Sequence, residues 1–177
     1  MTYPTWAWFP RQNAAPEWVG HFIACIGEAR SRIDSTTHKG MTSDGVMREL
    51  REDLETLGWE IESGKTKAGK IHRPVLFGDN GRVRVHQEID GWQPELRILL
   101  EIESGRAWMG NAVYRDLIRA SLVADADYLV IGVRQFYEYG KKSVSRNDFE
   151  STRELMDSIY ASQRLHLPFK GVLIFGW

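Results

Sequence analysis

Apolar residues recur with helical spacing at Val19, Phe22, Ile26, Ala29 and Ile33, which predicts a first helix starting near Pro16. Proline suits a first turn because its missing N–H has no helical partner to lose there. A second stripe at Val46, Leu50, Leu54 and Leu57 predicts another helix, capped by Ser43 or Asp44 and ended by Gly58. Beyond Trp59 the period changes to two. WEIES reads as a short strand and SGKTKAGK as a Gly/Lys-rich turn. RPVLFG, the turn GDNG and RVRVHQEID read as a hairpin, since Asn and Gly tolerate positive φ. In its second strand Val83, Val85 and Ile89 face one way, and Arg82, Arg84, His86, Glu88 and Asp90 the other. GWQPE predicts a turn. LRILLEIE predicts a strand with Ile98, Leu100 and Ile102 on one face and Leu99, Glu101 and Glu103 on the opposite one.

Residues 105–123 predict a helix apolar around most of its circumference, and therefore mostly buried. Its core stripe is Met109, Val113, Leu117 and Ala120; its polar stripe is Asn111, Arg115 and Arg119. DYLVIGV is a continuous apolar strand, as expected when both faces are covered. Residues 137–145 read as a basic exposed loop. An amphipathic helix with Phe149, Met156, Ile159 and Tyr160 follows, then a buried strand, KGVLIFGW. Residues 1–15, carrying Tyr3, Trp6, Trp8 and Phe9, predict an irregular strap packed on the body. A meander followed by β-crossover-β argues for an α/β fold with a mixed β-sheet flanked by helices on both sides, in a single domain over 1–177. The pentapeptide EIESG occurs at 60–64 and at 101–105; with nothing similar around it, the repeat reads as accidental.

Composition changes this picture little. A 42% hydrophobic and 27% charged chain of 177 residues is ordinary for a globular domain, and seven Trp argue for large buried side chains. The net charge of −1 argues against an extended nucleic-acid surface, while leaving room for a local basic patch. The single cysteine, Cys25, lies in the apolar run FIACI and reads as a small buried hydrophobe. There is no signal-peptide pattern and no apolar run of roughly 20 residues, so the expectation is a cytoplasmic protein without a membrane span.

Candidate chemistry centres on Glu88-Ile-Asp90 and Glu101-Ile-Glu103. Residues two apart on a strand share a face, so two adjacent strands would bring three or four carboxylates together. Clustered carboxylates repel one another and have raised pKa values unless a cation compensates. Oxygen-only ligands suit Mg²⁺ or Mn²⁺, and hard divalent ions neutralise charge on a phosphoryl group and activate water. The plainer reading is a half-exposed sheet face on which Arg82, Arg84 and Arg97 pair with these acids. Glu49 and Asp53, four apart on the second helix, are further candidates for a metal site, or simply surface acids. A basic stretch with Lys65, Lys67, Lys70, Arg73, Arg82 and Arg84, joined by Lys141, Lys142 and Arg146, would suit a phosphate backbone. His72 and His86 within it have no partner at ligand spacing.

Over residues 44–135, the order helix, three-stranded meander, helix, strand resembles the core of the PD-(D/E)xK nuclease superfamily, whose fold is restriction-endonuclease-like. Asp90 matches that family's first acid and Glu101 its second, while Glu103 stands where Lys is usual. The resemblance implies a metal-dependent nuclease with Asp90, Glu101 and Glu103 as catalytic, metal-binding residues, and Mg²⁺ or Mn²⁺ as cofactor. It implies nucleic acid, foremost DNA, as partner, with Lys65, Lys67, Lys70 and Arg106 as substrate contacts. A homodimer would supply the two sites needed to cut both strands at once. The Glu103 departure removes the usual positive group, and its alternative implication is an inactive nuclease fold that binds nucleic acid or protein.

Overall fold

Uniformly apolar inner strands need cover on both faces, and helices supply it. The structure, a computed structural model, describes residues 3–64, 66–105, 107, 110–139 and 144–177. In chain order the elements are β1 (Thr5–Phe9), α1 (Glu17–Glu28), α2 (Arg30–Ile33), α3 (Ser43–Thr56), β2 (Glu60–Ile61), β3 (Ile71–Phe77), β4 (Val83–Ile89) and β5 (Gly91–Gln93). There follow β6 (Ile98–Ile102), α4 (Ala112–Ser121), β7 (Tyr128–Val133), β8 (Tyr137–Tyr139), β9 (Val144–Arg146), α5 (Asp148–Ser162) and β10 (Gly171–Gly176).

The main sheet has the order β1-β10-β7-β6-β5-β2. Strands β6, β7 and β10 are parallel, and the outer strands run antiparallel to their neighbours. Alternation then sorts the side chains. Ile98, Leu100, Ile102, Val130, Leu173 and Phe175 pack with residues of α1, α2 and α3, including Phe22, Ile26, Ile33, Leu50 and Leu54. Leu99, Leu129, Ile131, Val172 and Ile174 pack on the other face with residues of α4 and α5, including Val113, Leu117 and Met156. No helix among the described residues is long and apolar enough to cross a membrane.

The first two helices follow their apolar stripes, though Thr42, rather than Ser43 or Asp44, caps α3 by accepting from Gly45 N–H at 3.2 Å. Cys25 is buried, and burial pushes its thiol up to about 11. Five expectations change. The N-terminal strap contains a true strand, β1, because its backbone finds a partner in β10. GWQPE is not wholly a turn: Gly91–Gln93 is a strand between β2 and β6. The 105–123 helix begins only at Ala112, after Asn111 in the left-handed region at φ 55°; glycines at 105 and 110 further disfavour helix before it. Nor is α4 mostly buried, since Tyr114, Ile118 and Leu122 are exposed. The expected basic loop forms a short β8–β9 hairpin; Lys141 and Lys142 lie outside the described residues, as does Met109.

Candidate active site

Strands β3 and β4 pair only with each other, forming a hairpin that stands off the main sheet. The chain re-enters the sheet at Asp90. The β5 ladder begins at Gly91, opposite Leu100, so Ile102 N–H has no strand carbonyl to meet. The Asp90 side chain takes that place: its Oδ2 accepts from Ile102 N–H at 2.7 Å, while its backbone carbonyl accepts from Glu62 N–H at 2.9 Å. Gly91 permits this close approach, because a Cβ there would lie 3.0 Å from Ile61 Cδ1 and 3.1 Å from Leu100 Cδ2.

Parity does the rest. Glu101 projects from β6 on the Leu99 side, toward α4, and Glu103 follows two residues on, its N–H held by Gly132 O at 2.8 Å. With Asp90 they line a cleft of about 160 Å³ at the C-terminal end of β6, the end of a parallel strand where open α/β sheets bind ligands. Its walls also include Glu62, Lys70, Glu88, Arg115, Asp116 and Arg119. Three of the five inner acids, Glu62, Glu101 and Asp116, are almost fully buried.

Burial and mutual repulsion dominate the electrostatics. Burial, with help from Glu62 and Asp116, pushes the Asp90 carboxyl up to about 7 against the opposing pull of the Ile102 N–H and Lys70. Glu101 is pushed well above its ordinary range by burial, then by Asp90 and Asp116. Glu103 rises to about 8 through burial and a hydrogen bond shared with Asp116, which together outweigh Arg115. Arg115 lies between these two acids, donating to Glu103 Oε1 at 3.0 Å and Asp116 Oδ1 at 3.1 Å. Lys70 Nζ donates to Glu62 at 2.7 Å, a contact that holds the lysine charged to higher pH.

The site therefore carries more negative charge than its own cations offset. Its donors are all oxygens, the set that suits Mg²⁺ or Mn²⁺. Among the described residues no three acidic, imidazole or thiol side chains converge as a finished cation site. What fits is the donor chemistry: Asp90, Glu101 and Glu103 line one cleft, and burial first, then repulsion among the acids, raises their proton affinities.

Other sequence candidates fall elsewhere. Glu88 sits on the rim, half-exposed, 3.7 Å from His72 Nε2. Arg97 pairs with Asp127, and no ion pair joins Arg82 or Arg84 to the cleft acids among the described residues; the cations that do pair with those acids are Lys70 and Arg115. Glu49 contacts Arg48 at 3.7 Å and Asp53 pairs with Arg32; neither lines the cleft. Arg73 is taken up by Asp125 and by the face of Trp92, 4.2 Å from the ring centroid. Lys67 stands exposed outside the lining, whereas Lys70 belongs to it; Lys65 and Arg106 lie outside the described residues. The two histidines, without a partner in sequence, meet across the hairpin with ring centroids 4.7 Å apart.

Two buried acids escape the sequence reading. Asp116 is charged yet sits beside Leu117 on the core side of α4, and that break in the apolar stripe was its signal. Glu62 had a signal too. It is the third residue of the first EIESG, as Glu103 is of the second, and both line this cleft.

Among solved structures, the chain is similar to restriction endonuclease BglII complexed with a DNA 16-mer, with a TM-score of 0.51 and 12% identity over 98% of this chain and 77% of that one. No protein-family model and no curated protein matches. At this identity the likeness shows the fold: a restriction-endonuclease-like mixed sheet flanked by helices.

Proposed function

We propose that this chain is a metal-dependent nuclease that hydrolyses phosphodiester bonds of nucleic acid. The observation that carries the reading is that Asp90, Glu101 and Glu103, all with raised proton affinity, line one cleft of a restriction-endonuclease-like fold. DNA is the favoured substrate, since the similar endonuclease was crystallised with it.

Asp90 and Glu101 would hold Mg²⁺ or Mn²⁺, with Glu103 completing the set. The ion, when bound, supplies positive charge for the phosphoryl oxygens and makes water a better nucleophile. Glu103, beside the ion, would orient the attacking water and accept its proton. The positive group missing at Glu103 is made up from other elements: Lys70 from the segment before β3, and Arg119 from α4, both in the cleft wall. Arg115, which pairs with Glu103, would have to release it for Glu103 to serve as a ligand. Cutting both strands of a duplex at once would take a homodimer, each copy bringing one cleft.

The test is incubation with single- and double-stranded DNA and RNA in Mg²⁺, Mn²⁺ or EDTA, beside Asp90→Ala and Glu101→Ala. Cleavage that needs metal and falls about 1,000-fold or more in both variants, a loss of roughly 4 kcal/mol at the transition state, is the expected outcome. Mn²⁺ should also raise the melting temperature of the wild type and not of Asp90→Ala. Activity retained in both folded variants would overturn the assignment. No cleavage, with no Mn²⁺ stabilisation, would move the reading to a nuclease fold that only binds nucleic acid or protein.

A further inference from the structure

A second cavity opens at the other end of β6. It holds about 220 Å³ between α1, the C-terminal end of α3 and the turn after β5. Its inner wall is aromatic: Phe22 and Trp59 are buried there with ring centroids 5.4 Å apart, and Trp18 closes one side. Leu57 and Leu96 stand at its mouth, 37% and 41% exposed, on a surface where most large apolar residues are covered.

Gln93 makes this more than a hydrophobic dent. It is 5% exposed and lines the cavity. Its Oε1 accepts from Leu96 N–H at 2.7 Å, but its amide nitrogen has no hydrogen bond among the described residues. That nitrogen lies beside Gly58, where a Cβ would come within 3.3 Å of it and where φ is +79°. The residue is nearly buried but its amide nitrogen is not fully shielded, so the donor is open to a polar ligand atom in the cavity. The shielded indole N–H of Trp18 also lacks a partner. Among the described residues the lining carries one acid, Glu95, beside the imidazole of His21, and an adjoining hollow adds Glu28 and Asp53.

These features select a ligand. Aromatic walls take a flat ring, the free amide N–H of Gln93 asks for a carbonyl acceptor, and the acidic surroundings repel phosphate. The volume is below the roughly 300–1,000 Å³ of sites that enclose a whole drug-sized molecule, so one ring system fits. We propose that this cavity binds an uncharged nucleobase that carries a ring carbonyl, presented by a free nucleoside or by a single-stranded end. The proposal is independent of the nuclease reading, and its test involves no cleavage.

Full-length ¹⁵N-labelled protein would be titrated with inosine, uridine, adenosine, inosine 5′-monophosphate, a short single-stranded oligonucleotide and indole, following the indole N–H signals of Trp18 and Trp59. Inosine or uridine should shift both signals saturably, adenosine should bind roughly tenfold more weakly for want of a carbonyl, and the monophosphate more weakly than inosine. The oligonucleotide distinguishes a strand end from a free nucleoside as the source. Gln93→Glu keeps the oxygen that Leu96 N–H needs and removes the donor; Leu57→Arg blocks the mouth from an exposed position. Each should weaken inosine at least tenfold. If Gln93→Glu fails to fold, Leu57→Arg decides. No saturable shift with inosine or uridine, unchanged affinity in Leu57→Arg, or indole binding as well as inosine would overturn the proposal.

Discussion

Strands β4 and β6 lie on either side of Asp90, and their surroundings could hardly differ more. All five residues of β6 are buried, Glu101 among them, whereas in β4 only Ile89 is, and Val83 and Val85 stand in solvent at 52% and 42% exposure. Both strands alternate, yet one lies between two helical layers and the other projects in a hairpin covered on little but its root. The difference teaches that cover, more than pattern, decides what a side chain costs. Glu101 is pushed well above its ordinary pKa by burial, while Glu88, two residues before Asp90, stands exposed at the rim.

The largest expected effect is in β6. Leu100→Ala removes a side chain packed against α3 and should cost about 2–5 kcal/mol in denaturant unfolding. A loss as small as that of a surface change would mean the sheet is not covered as described. An intermediate effect separates the acids. In the folded protein Asp90 and Glu103 keep protons up to about pH 7 and 8, whereas the unfolded chain releases them near pH 4. The folded state then binds more protons between those values, so stability is highest at the acid end of this window and falls as pH rises through it. Glu101→Gln should flatten that slope and raise stability at pH 8, because burial holds this acid well above its ordinary range, whereas Glu88→Gln is an exposed surface change and should move stability by less than about 0.5 kcal/mol. An equal effect from both would erase the distinction between the strands. The smallest effect belongs to the hairpin tip: Phe77→Ser and Val83→Thr should each move stability by less than about 0.5 kcal/mol.

That contrast also explains how far the sequence carries. Apolar periodicity places the α1, α3, β7 and β10 segments, because each buries the stripe or run that its pattern displays. It pairs Glu101 with Glu103, since parity is local. It does not reveal that β4 leaves the sheet, since Val83 and Val85 alternate equally well over solvent. It does not find β1, whose only cause is a distant partner, or the late start of α4, where glycines at 105 and 110 and left-handed Asn111 outweigh the apolar run. The cleft was legible as three carboxylates on two strands. Glu62 and Asp116 left only faint marks, a repeated pentapeptide and a break in an apolar stripe, because one waits on the β2–β5 register and the other on how α4 rotates against the sheet.

The two margins of the main sheet have a consequence for how copies of this chain meet. Each strand margin is a row of backbone groups on which another chain can template itself. On one side β1 is only five residues long, with Pro4 before it and Pro10 directly after it, neither able to donate to an incoming backbone. On the other, β2 stops after two residues. Both margins of this apolar sheet thus offer an incoming strand little backbone to template on.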